Sequence, residues 1–166
     1  MLLSSRRLTL FLLLAPLAAC NFQPVYGPGG SGEAVRNQIT VAEPNTREEF
    51  ELVARLEDRL GVGSRYALDY QFGIGEASIA VDGADNINRV NVNGTVSYTL
   101  RDALSGAVIH SGSVRTFTSF ATTSSPVATS AARRDARDRL AVALADQLVT
   151  DLILTAPRWS SPGNEA

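Results

Sequence analysis

The sequence predicts an α+β fold: a single sheet of about four strands, mixed or antiparallel, with two helices packed on one face. Apolar residues recur at helical spacing in two segments, residues 52–60 and 140–152. Between these segments they alternate with polar residues, which is the pattern of half-buried strands. The predicted element order is β-α-β-β-β-α, and a sheet with one apolar face needs helices to cover it.

The length, the charge and the number of cysteines exclude several classes of protein. The chain has 166 residues, which fits one domain. All fifteen basic residues are arginine, and the formal net charge is -2, so charge gives no basis for nucleic-acid binding. A single cysteine excludes an internal disulfide and a multi-cysteine metal site. We therefore expect no metal and no nucleic-acid partner.

Residues 1–19 predict a cleaved export signal. Arg6 and Arg7 precede an apolar run over residues 8–17, and two alanines follow. A charged start, a short apolar centre and a small-residue end are typical of a secretory signal peptide. A buried N-terminal helix is the alternative interpretation.

Cys20 follows this signal in the segment Leu-Ala-Ala-Cys, which resembles a bacterial lipobox. The resemblance implies that Cys20 becomes the first mature residue and carries a diacylglycerol and an N-acyl chain, with no other cofactor. An ordinary cleavage site with an unmodified cysteine is the alternative. Several acyl chains would hold the protein on a membrane. Asn21 is similar to an outer-membrane sorting residue, so we expect anchoring in the inner leaflet of the outer membrane, facing the periplasm.

Residues 20–35 are rich in glycine and proline and predict a flexible tether after the lipidated cysteine. Residues 36–155 form the predicted domain, and residues 156–166 a disordered tail. The first strand is predicted within residues 36–42. Thr46 and Glu49 form a capping box that begins the first helix, and Gly61 ends it.

The strands follow from Tyr66 onward. Gly73 and Gly75 coincide with a change in the phase of the apolar residues, which predicts a bulge or bend. The clearest alternation runs through the third strand, whose inward-facing residues are Val90, Val92, Val96, Tyr98 and Leu100. A turn at residues 102–106 leads to a fourth strand over residues 107–120.

A Ser/Thr/Pro loop is predicted over residues 122–129, followed by a helix over residues 130–154 that Pro157 ends. Leucines at four-residue spacing predict its buried face: Leu140, Leu144, Leu148 and Leu152. A helix lying on a membrane is the alternative for this stripe. Asp135 and Arg139 are spaced for an ion pair on its surface.

Few residues suggest chemistry. His110 lies within a predicted strand, without a nucleophile elbow or a carboxylate at ligand spacing, so a catalytic role is disfavoured. Arg89, Arg101 and Arg115 lie on the strands or at their ends. A guanidinium there could pair with a lipid phosphate, although surface arginines are common.

Three segments stand out together: residues 20–27 (Cys-Asn-Phe-Gln-Pro-Val-Tyr-Gly), residues 96–100 (Val-Ser-Tyr-Thr-Leu), and residues 132–141 of the final helix. In combination they resemble the lipopolysaccharide (LPS)-assembly lipoprotein family LptE in its alphaproteobacterial form. Family members often have glycine and arginine where this chain has Asn21 and Gln23.

This resemblance implies a non-enzymatic role. Such proteins plug the large outer-membrane β-barrel LptD, help it assemble and support LPS delivery to the cell surface. The partners implied are an LptD-like barrel, LPS and the membrane leaflet that holds the anchor, with Arg89, Arg101 and Arg115 as LPS-contact candidates. Two alternatives remain at this point: an auxiliary lipoprotein of an ABC-type lipid transporter, and a lipid-anchored hydrolase that uses His110.

Overall fold

A computed structural model describes residues 25, 27, 30–81 and 87–160. The predicted export signal, Cys20 and residues 161–166 of the predicted tail lie outside the described residues. The elements are β1 (Ile39–Val41), α1 (Arg47–Leu60), β2 (Tyr66–Val81), β3 (Ile87–Asp102), β4 (Val108–Ala121) and α2 (Pro126–Trp159).

The four strands form one mixed sheet in the order β1-β2-β3-β4. β1 is parallel to β2, whereas β2, β3 and β4 are successively antiparallel. α2 packs across β3 and β4, and α1 packs against β1 and α2. The predicted α+β fold and its β-α-β-β-β-α order are confirmed.

The core lies between the helices and one face of the sheet. The alternating residues predicted to face inward on β3, from Val90 to Leu100, are all buried, and so is the leucine stripe of α2. Gly94 lies where α2 crosses β3. A Cβ atom there would be 2.7 Å from Leu144 Cδ1 and 2.9 Å from Leu140 Cδ2, so glycine permits the close approach of helix and strand.

α1 begins and ends as predicted. The Thr46 side chain accepts a hydrogen bond from the Glu49 N–H at 3.3 Å, and Gly61 ends the helix with a φ of 70°. The Glu49 carboxylate accepts a hydrogen bond from the Asn45 N–H at 2.8 Å. Both ends of α1 are therefore fixed by local contacts.

The predicted bend at Gly73 and Gly75 is wrong. β2 pairs with β3 without interruption from Tyr66 to Ser78, and the register shifts only between Ser78 and Ala80. A Cβ atom on Gly75 would meet nothing within 4 Å, so neither a clash nor a close contact distorts the strand there. The continuous ladder with β3 keeps the backbone extended through both glycines.

α2 is longer at both ends than predicted. Its first turn includes part of the predicted loop, because Ser125 caps the helix and Pro126 occupies a position where no N–H is needed. Pro157 lies inside the last turn instead of ending the helix. The helix continues because Trp159 packs edge-on against Tyr66, with ring centroids 5.4 Å apart, and Trp159 Nε1 donates to Thr155 Oγ1 at 3.1 Å.

Arginine–carboxylate pairs join the helices. Arg55 Nε lies 2.9 Å from Asp146 Oδ1, and Arg59 reaches the same carboxylate at 3.3 Å. The pKa of Arg55 is raised by its hydrogen bond to Asp146 and by the charge of that group. The predicted pair of Asp135 and Arg139 is confirmed at 2.9 Å.

Candidate interaction surface

The face of the sheet turned away from the helices is not covered by any described residue, and we call it the open face. Its side chains come from the odd-numbered positions of β2, β3 and β4, and most of those on β3 and β4 are uncharged and polar. Exposed examples are Asn93, Ser97, Ser111 and Ser113. The Ser97 and Ser113 hydroxyl oxygens lie 3.5 Å apart across the two strands. This surface offers many uncharged hydrogen-bonding groups, and its described charged side chains are Asp69, Arg89, Arg101 and Arg115.

The three candidate arginines all belong to the open face, but the structure does not bring them together. Arg89 and Arg101 lie near opposite ends of β3, about 40 Å apart at about 3.3 Å per residue. Arg115 lies between them, opposite Thr95. Arg101 Nε donates to Asp69 Oδ2 at 3.0 Å. Among the described residues, no carboxylate pairs with Arg89 or Arg115.

Phe117 is an exposed aromatic residue on the same face that the sequence analysis missed. It lies opposite Asn93 and one row from Arg115. The sequence could have indicated its exposure, because Phe117 has an odd number in β4 and the neighbouring odd-numbered residues are serine and arginine. The open face is therefore polar with one aromatic group at its edge.

His110 lies on the other side of the sheet, facing the helices. Its Nε2 atom is 3.2 Å from the Tyr98 hydroxyl oxygen, and Tyr98 donates a hydrogen bond to Asp151 Oδ2 on α2. Burial raises the pKa of Tyr98, and the hydrogen bond to Asp151 and its charge raise it further. Among the described residues, no serine, threonine or cysteine side chain is hydrogen-bonded to His110. The cluster links the sheet to α2 and lacks a hydrolase's nucleophile.

A shallow groove of about 370 Å³ lies beside this cluster, between β4 and α2, with Val114, Thr150 and Leu154 in its lining.

The described part of the chain holds no group of three or more His, Cys, Asp or Glu side chains arranged for a metal ion. α2 is long and apolar enough to cross a membrane, but half of its most apolar window is buried in the fold. Its leucine stripe is therefore core, as predicted.

A family model described as LptE, lipopolysaccharide-assembly, matches residues 36–152, which is most of the chain and nearly all of the folded domain. The chain belongs to the LptE family. The resemblance inferred from the sequence is thereby confirmed. LptE proteins are non-enzymatic lipopolysaccharide-assembly lipoproteins. Membership is consistent with an outer-membrane lipoprotein.

Solved structures share this LptE fold. A candidate lipoprotein from Caulobacter crescentus CB15 aligns with a TM-score of 0.62 and 24% identity over 79% of this chain and 98% of its own. Rare lipoprotein B from Shewanella oneidensis aligns with a TM-score of 0.57 and 8% identity over 75% of this chain and 98% of its own. A minor lipoprotein from Acinetobacter baumannii aligns with a TM-score of 0.57 and 16% identity over 73% of this chain and 93% of its own. No curated protein matches in sequence. At such identities the likeness establishes the fold.

Proposed function

We propose that this protein is an outer-membrane lipoprotein that plugs the LptD β-barrel, assists its assembly and supports LPS transport to the cell surface. The observation that carries the proposal is the open face, a polar surface on one side of the domain in which uncharged serine, threonine and asparagine side chains outnumber the charged ones. Family membership supplies the LPS-assembly role. The neighbours named as lipoproteins support a membrane anchor.

The polarity of the open face suits the lumen of a large barrel. The interior of an outer-membrane barrel is polar and wet, and in several barrels a domain fills it. A plug must replace water at that wall with hydrogen bonds of its own. The serine, threonine and asparagine side chains of β3 and β4 supply donors and acceptors without the desolvation cost of isolated charges.

The anchor and the LPS contacts are further parts of the proposal. Cys20 would carry the diacylglycerol and N-acyl chains that hold the protein in the inner leaflet of the outer membrane. Arg89, Arg101 and Arg115 would pair with LPS phosphates, since a guanidinium matches a phosphate with two parallel hydrogen bonds. Arg115 lies midway along the edge strand β4, opposite Thr95, where neighbouring hydroxyl groups can contribute. Arg101 already donates to Asp69, so its contribution should be smaller.

The test is a pull-down of the tagged, lipidated chain from detergent-solubilised outer membranes of its own source, with mass spectrometry of what co-purifies. We expect a β-barrel protein in near-equal amount. Ser113→Glu places a charge on the open face and should reduce its recovery. Ser130→Glu, on the exposed start of α2, is the matched control and should not.

Other outcomes are equally informative. Recovery of inner-membrane transporter subunits instead of a barrel would move the protein to the auxiliary lipoproteins of lipid transporters. A stable chain without any barrel partner would contradict the plug function. Equal barrel recovery by the two glutamate variants would exclude the open face as the contact surface.

A further inference from the structure

One end of the sheet collects most of the connecting segments, and we call it the anchor end. β1 and β2 begin there and β3 ends there, because Ile39 pairs with Tyr66 and Tyr66 pairs with Asp102. α2 also ends there, since Trp159 packs against Tyr66. The segments at this end are residues 30–38, residues 61–65 and the turn at residues 103–107.

The anchor end exposes apolar side chains. Leu104 is 98% exposed at the tip of the turn between β3 and β4, and Val62 is 67% exposed in the neighbouring connection. Val25 and Val108 are exposed at the same end. Four of the nine large apolar side chains that the described part of the chain exposes are therefore found here.

The turn that presents Leu104 is well ordered by hydrogen bonds. Asp102 Oδ1 accepts from the Leu104 N–H at 3.0 Å, from the Ser105 N–H at 2.8 Å and from the Ser105 hydroxyl at 2.9 Å. A leucine at the tip of such a turn contributes nothing to the core of the domain. Because its side chain is exposed and held by an ordered turn, Leu104 is available for an apolar contact with a surface outside the domain.

Exposed arginines accompany the apolar residues. Arg36, Arg65 and Arg158 lie at the anchor end, and the Arg65 guanidinium lies 5.2 Å from the ring centroid of Tyr66. None of the three forms an ion pair with a carboxylate in the described ranges. Arginines beside apolar groups suit a phospholipid surface, where the guanidinium meets phosphate and the apolar group enters the headgroup region.

The first described residues after Cys20 are connected to this same end by backbone hydrogen bonds. The Val25 carbonyl accepts a hydrogen bond from the Gly32 N–H at 2.9 Å, and the Asn37 N–H donates to the Leu60 carbonyl at 2.6 Å. Val35, between these contacts, is fully buried. Only five residue steps separate Cys20 from Val25, and an extended chain of that length spans at most about 18 Å. An acylated Cys20 would hold the anchor end close to its bilayer.

We propose that the anchor end is a second membrane-binding surface, at which Leu104 and Val62 enter the headgroup region of the phospholipid leaflet that holds the Cys20 lipid. Arg65 and Arg158 face its phosphates. In the protein that has not entered its barrel, this contact orients the domain, with the strands directed away from the bilayer and the start of α2 farthest from it. The proposal rests on the proposed acylation of Cys20, and it does not depend on the barrel.

The test uses the mature, lipidated protein, with acylation of Cys20 first established by its mass. Acylation consumes the only native thiol, so an introduced cysteine is the single site for a fluorophore. Leu104→Cys and Val62→Cys report on the anchor end. Val127→Cys is the matched control, because Val127 is 76% exposed and lies about 48 Å from Trp159 along α2. Each labelled protein is placed in vesicles of phosphatidylethanolamine and phosphatidylglycerol containing brominated lipid.

We expect bromine quenching to be at least threefold stronger at Leu104→Cys and Val62→Cys than at Val127→Cys. Adding Leu104→Asp should lower the quenching at Val62→Cys toward that of the control, whereas adding Val127→Asp should not. Equal quenching at all three sites, or none at any, would overturn the proposal. So would a mass that shows Cys20 without acyl chains. Since the vesicles contain no barrel, these failures are separate from the pull-down that tests the plug function.

Discussion

Gly112 lies directly opposite Tyr98 in the pairing of β3 and β4, and a Cβ atom on Gly112 would be 2.6 Å from the Tyr98 hydroxyl oxygen. The missing side chain leaves room for the tyrosine to extend across β4. Its hydroxyl group there reaches Asp151 on α2 and lies beside His110. A glycine on the edge strand thus permits the polar link between the sheet and the long helix.

Removing this link should destabilise the domain. Tyr98→Phe deletes a buried hydroxyl and leaves the Asp151 carboxylate without its donor, which should lower the free energy of unfolding by about 1–2 kcal/mol. Urea unfolding at neutral pH measures the change. Tyr70→Phe is the matched control, because the Tyr70 hydroxyl makes only a long hydrogen bond of 3.4 Å to Glu49. A loss for Tyr98→Phe no larger than for Tyr70→Phe would refute the importance of the link.

The contact between α2 and β3 predicts a second stability difference. Gly94→Val would force a side chain against Leu140 and Leu144, and we expect a loss of about 1–3 kcal/mol from overpacking. Gly75→Val places the same side chain where no atom lies within 4 Å, so its effect should be much smaller. Thermal or urea unfolding of the two variants distinguishes them. Similar losses would mean that glycine at these positions serves the strands and not the helix packing.

The turn below Leu104 predicts a dependence on pH. Hydrogen bonds from Ser105, first from its backbone and then from its side chain, hold the pKa of Asp102 below its ordinary value of 3.8. A carboxyl whose folded pKa is lowered stabilises the fold above its unfolded pKa and loses that contribution as pH falls through the folded value.

We therefore expect the difference in unfolding free energy between the native chain and Asp102→Asn to be largest near neutral pH. The difference should shrink as the pH falls below about 4, where the carboxyl of the unfolded chain takes up a proton, and should be lost below the lowered folded pKa. Urea unfolding at a series of pH values measures it, and the other acids affect both proteins alike. A difference that stays constant with pH would contradict the assignment.

LPS binding provides the functional prediction. Arg115→Ala should weaken binding of purified LPS about tenfold, which is about 1.4 kcal/mol, because its guanidinium is exposed and has no described carboxylate partner. Arg89→Ala should act similarly, and Arg101→Ala less, owing to its bond with Asp69. Arg134→Ala, on the exposed start of α2, is the control. Unchanged LPS affinity in all three strand variants would remove these arginines as contacts.

The sequence was sufficient wherever a property depends on neighbours along the chain. The alternation in β3, the leucine stripe of α2 and the caps of α1 are local patterns, and each was predicted correctly. They led to the α+β class and the element order, and the segments 20–27, 96–100 and 132–141 led to the family. The candidates Arg89, Arg101 and Arg115 were also identified from the sequence, but their distances from one another were not.

Contacts between residues that are distant in the sequence determined where the elements end and which exposed side chains lie together. Gly73 and Gly75 stay extended because β3 pairs with them, and α2 passes Pro157 because Trp159 packs on Tyr66. The separation of Arg89 from Arg101 follows from the uninterrupted extended backbone of β3, and the gathering of Leu104 and Val62 at one end follows from the topology. Local spacing specifies which face of a helix or strand is apolar. Only packing between elements determines where that face ends and what lies beside it.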